Sequence, residues 1–284
     1  MSSTDSAVPT SQGFRPDIST PTIAVPVGAC DAHMHIVGPF ERYPLRETRS
    51  LIPSESTLAD YVRVRQVMGM QRSVIVQPSF FAKDNQCTLD AVEALDGTAR
   101  AVVVIDPDIS EQTLASMHAR GARGVRIQSI AAGGASLDSL EELAARIQPF
   151  GWHIQFFIDA KSIAELAPRL RHLPVDSVFD HMAHADASTG MDTAGFKALL
   201  DLMQTGKTWV KLSNAFSTPD AERARRLIAA NDERVVWGSD WPHVGYREAA
   251  PDDGKLVDAL AQWAPDETTR WRILVDNPSR LYFS

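Results

Sequence analysis

The sequence predicts an α/β fold, a (β/α)8 TIM barrel with its active site at the C-terminal ends of the strands, and three observations predict it. Short β-branched or apolar runs alternate with longer segments of helical periodicity from residue 28 to residue 275. That alternation is how parallel strands joined by crossover helices read in sequence. The strand-like runs number eight, the count that closes a barrel. Finally, no glycine-rich phosphate turn follows the first run, where a doubly wound open sheet would want one. The chain reads Asp31-Ala32-His33-Met34-His35 there instead.

Taken in order, residues 1–26 are rich in Ser, Thr and Pro and bury little, so they read as a flexible or surface-wrapping tail ahead of a barrel over 27–284. Strands are predicted over 28–36, 72–77, 101–105, 124–128, 153–158, 177–181, 208–212 and 234–239, each nearly free of charge except near its C-terminal end. Helices are predicted between them over 57–68, 87–95, 111–118, 137–147, 162–170, 193–203 and 219–230, with two more over 255–263 and 267–275. Gly121, Gly151 and Gly206 stand just after helices, where a left-handed residue ends the last turn.

Charge and composition narrow the function classes. With 28 Lys+Arg against 36 Asp+Glu the net charge is −8, which excludes a nucleic-acid protein, since phosphate binding needs a basic face. No run of about 18 apolar residues offers a membrane span, and the start of the chain lacks the basic and apolar regions of a signal peptide. Cys30 and Cys87 cannot build a disulfide framework, so a reducing, cytoplasmic setting is expected. A homo-oligomer is compatible with this composition.

The candidate chemistry sits at predicted strand ends. Side chains two apart on a strand share a face, so His33 and His35 can enter the barrel mouth together, while Cys30, Ala32 and Met34 should face the helical layer. Asp240, in Gly238-Ser239-Asp240-Trp241-Pro242-His243, ends the eighth strand beside the first and can reach both imidazoles. In Asp180-His181-Met182-Ala183-His184, His181 is better placed than His184 to point inward. Arg126 is a charge inside an apolar fourth strand; a buried guanidinium needs a partner, either a substrate group or a barrel carboxylate. Gln128 shares its face. Gln155, Ser79 and His243 complete the candidate substrate contacts, whereas His118, His153 and His172 read as packing or surface residues.

This constellation resembles the amidohydrolase superfamily, and Ser239-Asp240-Trp241-Pro242-His243 with Asn277-Pro278-Ser279-Arg280-Leu281-Tyr282 is similar to its amidohydrolase 2 branch. Within the branch, Asp31 to Pro39, Val74-Ile75-Val76-Gln77 and Asp84-Asn85 resemble 2-pyrone-4,6-dicarboxylate lactonases. The stretch Gly133-Gly134-Ala135-Ser136-Leu137 resembles D-galactarolactone isomerases. The resemblance implies a hydrolase that opens a small, carboxylate-bearing lactone of aromatic or sugar-acid catabolism. Placement at the strand ends then assigns Asp240 as base for water and later proton donor to the leaving oxygen, His33, His35 and His181 to the carbonyl, and Arg126 to substrate orientation.

Two departures matter. Metal-dependent relatives carry a Lys or carboxylate ending strand four and a His ending strand five, where this chain has Val125-Arg126-Ile127-Gln128 and Gln155-Phe156-Phe157-Ile158-Asp159. No cofactor is therefore expected to be required, although His33, His35 and Asp240 could hold a single Zn²⁺. Phe80, Phe81, Leu51 and Phe157 stand where polar substrate contacts are expected. A lactone isomerase, a metal-dependent decarboxylase and a non-catalytic ligand-binding barrel remain the competing readings.

Overall fold

The computed structural model describes residues 8–47, 49, 51–128, 137–184, 191–214, 218–245 and 250–284. Its strands are β1 (Cys30–Met34), β2 (Arg72–Val76), β3 (Ala99–Val103), β4 (Ala122–Gln128), β5 (His153–Phe157), β6 (Ser177–Phe179), β7 (Thr208–Leu212) and β8 (Val235–Trp237). Each pairs in parallel with the next, in the order β1 to β8. A bridge between Met34 and Trp241 joins the ends of β1 and β8. Two backbone bonds hold that seam, from Asp240 N to His33 O and from His35 N to Trp241 O, both 2.8 Å. The sheet is thus a nearly closed barrel.

Helices α1 (Leu58–Met68), α2 (Gln86–Ala94), α3 (Glu111–Ala119), α4 (Leu140–Ile147), α5 (Ile163–His172), α6 (Ala194–Gln204) and α7 (Thr218–Ala230) fill the crossovers. Four short helices follow: α8 (Asp253–Asp258), α9 (Leu260–Trp263), α10 (Glu267–Trp271) and α11 (Asn277–Tyr282). Thr57, expected inside the first helix, is its N-cap instead: its hydroxyl accepts from Asp60 N while the Asp60 carboxylate accepts from Thr57 N. Gly121, Gly151 and Gly206 have φ of 99°, 67° and 77°, the left-handed conformation their positions predict.

Two apolar layers divide the strand residues. Met34, Val125, Ile127, Ile154, Phe156, Val210, Leu212 and Trp237 pack outward against the helices. Cys30, Ala32, Val74, Val76, Val102, Val178 and Val236 form a separate cluster inside the barrel with Trp209 and Tyr282. The expected outward face of Cys30 and Ala32 is therefore corrected. The pairing of β1 with β2 slips between Asp31 and Met34, and this irregularity resets the alternation so that Ala32 and the site histidines both serve the interior.

The segment before β1 lies on the barrel. Ser11 N bonds Ile52 O at 2.9 Å, Ser19 N bonds Asp252 Oδ1 at 2.9 Å, and the Phe14 and Trp241 rings pack at 5.0 Å. Among the described residues no helix is long and apolar enough to cross a membrane.

Candidate active site

The site is built from the ends of β1, β4, β6, β7 and β8. His33 and His35 leave the first strand with their rings 5.1 Å apart. Asp31, buried between them and the helical layer, fastens this strand to the eighth: it accepts from Ser239 N at 2.9 Å, Ser239 Oγ at 2.6 Å and Tyr61 Oη at 3.0 Å. Burial pushes its carboxyl up to about 6 despite those donors. Gly238 allows the contact, because a Cβ there would lie 2.5 Å from His33 Cβ.

Three imidazoles converge on one carboxylate oxygen. Asp240 Oδ1 is 3.5 Å from His33 Nε2, 3.5 Å from His35 Nε2 and 3.8 Å from His181 Nε2. Burial would raise the Asp240 carboxyl, but a proton added to this cluster goes to an imidazole, His181 foremost, rather than to the carboxylate, which is thereby held well below the usual range. Asp240 thus favours its ionised form, and its side chain keeps 14% exposure toward the cavity. Burial holds His33 and His181 below the ordinary imidazole value, which makes both neutral near pH 7.

Tautomers follow from the partners on the far side of each ring. His35 Nδ1 is 2.7 Å from Val76 O, and a carbonyl only accepts, so neutral His35 carries its proton there and turns an Nε2 lone pair toward Asp240. His33 Nδ1 lies 3.1 Å from Asp180 Oδ1, another acceptor. His181 Nδ1 lies 2.9 Å from Ser213 Oγ, a hydroxyl that can donate or accept, so its Nε2 is free to carry a proton. Two lone pairs and a carboxylate facing one point suit a shared cation or the protons of a water. The geometry therefore fits a divalent metal at His33, His35 and Asp240. His33 with Asp180 and His181 is a second such grouping.

Below this centre Arg126 finds its partner. Its Nε and Nη2 donate to Asp180 Oδ2 at 3.2 and 3.1 Å, and its guanidinium lies 4.6 Å from the Phe157 ring. Gln155 Nε2 donates to the same oxygen at 3.1 Å, so it supports Asp180 rather than lining the cavity. Lys211 is fully buried, donates to Ala32 O at 2.8 Å and stands 3.9 Å from Asp180 Oδ1. Burial brings its amine down to about 8.

Above the centre is a cavity of about 160 Å3. His35, His181, Asp240, Arg126, Gln128 and Ser79 all border it, as do Phe80, Phe157 and Asn214. Both amide atoms of Gln128 are buried without a partner among the described residues, as expected of a group waiting for a ligand. His184 borders the cavity as well, and burial followed by the neighbouring His181 lowers it to about 4. His243 is not brought to this cavity; its Nε2 sits 3.0 Å from Asp253 Oδ1. Residues 133–136, which carry most of the isomerase-like stretch, lie outside the described residues.

Sequence reasoning missed Asp180, Lys211 and His184 as members of the site. Arg126 announced that a barrel carboxylate was needed, and Asp180 stood beside a quoted histidine. Lys211 carried the same signal as Arg126, a charge inside an apolar strand. His184, weighed against His181 and set aside, is delivered by a left-handed turn: His181, Met182, Ala183 and His184 have φ of 52°, 52°, 61° and 47°.

A nearly closed (β/α)8 barrel with imidazoles and a carboxylate gathered at the C-terminal strand ends defines an enzyme that works at the mouth of its barrel. The chain belongs to the amidohydrolase family, whose profile matches residues 30–283. It is 37% identical over 271 residues to 4-sulfomuconolactone hydrolase of Hydrogenophaga intermedia, covering 91% of this chain and 89% of that protein. Over 284 residues it is 34% identical to 2-pyrone-4,6-dicarboxylate hydrolase of Comamonas testosteroni, covering 93% of each. A crystal structure from Agrobacterium tumefaciens superposes with a TM-score of 0.88 at 32% identity, covering 95% of this chain and 99% of that one.

Proposed function

We propose that this enzyme hydrolyses a small acidic lactone, opening the ring by attack of water on its carbonyl carbon. The observation that carries the reading is the convergence of three Nε2 atoms on Asp240 Oδ1 at the edge of a cavity of lactone size. Two relatives over nine-tenths of the chain are named as hydrolases of such compounds, which supports the substrate class.

The residues divide the work. A water set among Asp240 and the Nε2 lone pairs of His33 and His35 has acceptors for its protons, and Asp240 takes one as the oxygen attacks. His181, the ring whose Nε2 can carry a proton, donates to the developing oxyanion, the charge that preorganised donors stabilise best. The ring C–O bond then breaks, and the proton on Asp240 passes to the departing ring oxygen. The sum is the addition of one water, giving a carboxylic acid and a hydroxyl. Arg126 and Gln128 face the cavity from β4, where they orient an acidic or carbonyl oxygen of the substrate. Were a divalent cation bound by His33, His35 and Asp240, it would supply Lewis-acid polarisation of the carbonyl.

The test is proton release in a pH-stat from a panel of lactones bearing carboxylate or sulfonate groups and of sugar-acid lactones, with and without chelator. The expected result is turnover of acidic lactones that survives chelation. Activity lost on chelation and restored by zinc would assign a required metal. An isomeric lactone in the NMR spectrum of the products, or no turnover across the panel, would overturn the hydrolase reading.

A further inference from the structure

Asp180 is fully buried, and its two oxygens are used differently. Oδ2 accepts from Arg126 Nε at 3.2 Å, Arg126 Nη2 at 3.1 Å and Gln155 Nε2 at 3.1 Å. Oδ1 faces His33 Nδ1 at 3.1 Å, with the Lys211 ammonium 3.9 Å away. The contact with His33 is at hydrogen-bond distance but off the straight line, and neither atom makes another hydrogen bond among the described residues. Each is therefore the other's nearest polar partner, with the Lys211 ammonium farther from Oδ1.

We propose that Asp180 is a positioning residue that fixes His33 as its Nδ1–H tautomer, with Arg126, Gln155 and Lys211 as the cradle that keeps the carboxylate ionised and oriented. Three donors pin Oδ2, so Oδ1 is left as an acceptor directed at the imidazole, and an acceptor there demands the ring proton on Nδ1. The Nε2 lone pair is then turned to Asp240 and the water. Arg126 thus serves two ends: it borders the cavity, and it donates Nε and Nη2 to Asp180.

The substitution Asp180→Asn makes the argument testable, because the cradle dictates how the amide must sit. Its oxygen stays with Arg126 and Gln155, its NH2 turns to His33, and the ring must move its proton to Nε2. A buried carboxylate on an imidazole Nδ1 acts in this way in hydrolytic triads, where the amide variant loses about 10⁴-fold in kcat.

The experiment is ring ¹⁵N NMR of histidine-labelled protein without substrate, His33 being assigned by its absence in His33→Gln. The wild-type spectrum is expected to show Nδ1–H, and Asp180→Asn to show Nε2–H. Kinetics on the most active lactone of the panel should then show kcat down at least 100-fold with KM changed less than threefold. A wild-type His33 protonated on Nε2 overturns the proposal even if Asp180→Asn fails to fold. So does an unchanged tautomer in a folded variant, or a loss confined to KM. The kinetic arm rests on the hydrolase reading, but the spectra do not, so the failure of either is distinguishable.

Discussion

At the scale of single residues, the site turns on how each ring's outer nitrogen is held. His33 and His35 present acceptors toward Asp240 because Asp180 and Val76 O face their Nδ1 atoms, whereas Ser213 leaves His181 free to donate. Asp240 is the one carboxylate they share. Asp240→Asn is expected to lower kcat by about 10²–10⁴-fold, since an amide cannot take water's proton. The fold should survive: Asp240 has φ of 65°, and asparagine tolerates that left-handed conformation well. Steady-state kinetics beside a circular dichroism melt check this, and a folded variant with near wild-type kcat would remove Asp240 from the mechanism.

At the scale of elements, two features place those residues. One is the left-handed turn from His181 to His184, which costs roughly 1–2 kcal/mol for each residue lacking glycine's freedom, and which sets two imidazole rings 5.0 Å apart at the cavity. The other is the seam between β1 and β8, where Gly238 lies against the His33 backbone. A methyl group there would meet His33 N at 2.7 Å as well as its Cβ, so the strand ends must part. Gly238→Ala should reduce kcat by about 100-fold, the scale of a displacement near 1 Å in a reacting geometry. Overpacking should also destabilise it by about 1–3 kcal/mol. Unchanged kcat in a Gly238→Ala enzyme would show that the seam has slack.

At the scale of the whole molecule, several buried histidines tie stability to pH. His33, His181, His184 and His153 are all held below the ordinary imidazole value by burial, His153 down to about 3. A folded-state value below the unfolded one means that the unfolded chain takes up more protons between the two. The stabilisation is therefore complete above about pH 6.5 and is lost as pH falls toward the folded values. Asp31, raised to about 6, works in the opposite sense below that pH and offsets part of the loss. His153 sits at the barrel floor against Gly124 and Tyr282, far from the cavity lining. Its share of the loss at pH 5 is roughly 2 kcal/mol. The Tm of the enzyme should fall between pH 7 and pH 5, and His153→Gln should narrow that difference by a few degrees. An equal difference in both proteins would contradict this assignment.

The barrel and half of its centre can be read from the chain, because both depend on local order. Hydrophobic periodicity separates strand from helix, and a strand's C-terminal end is where a barrel exposes its chemistry, so His33, His35, His181 and Asp240 were legible. Element ends moved by a residue or more, as with Thr57, because capping bonds rather than periodicity set them. Which charges meet depends instead on how the strands come together. Arg126, Gln155 and Lys211 come from three strands and find Asp180 on a fourth, a pairing that exists only once the sheet closes. The irregular pairing of β1 put Cys30 and Ala32 inside against their expected face, and four left-handed residues brought His184 to the cavity. Each is a long-range packing solution imposed on a stretch whose own residues prefer something else, and no local pattern records it.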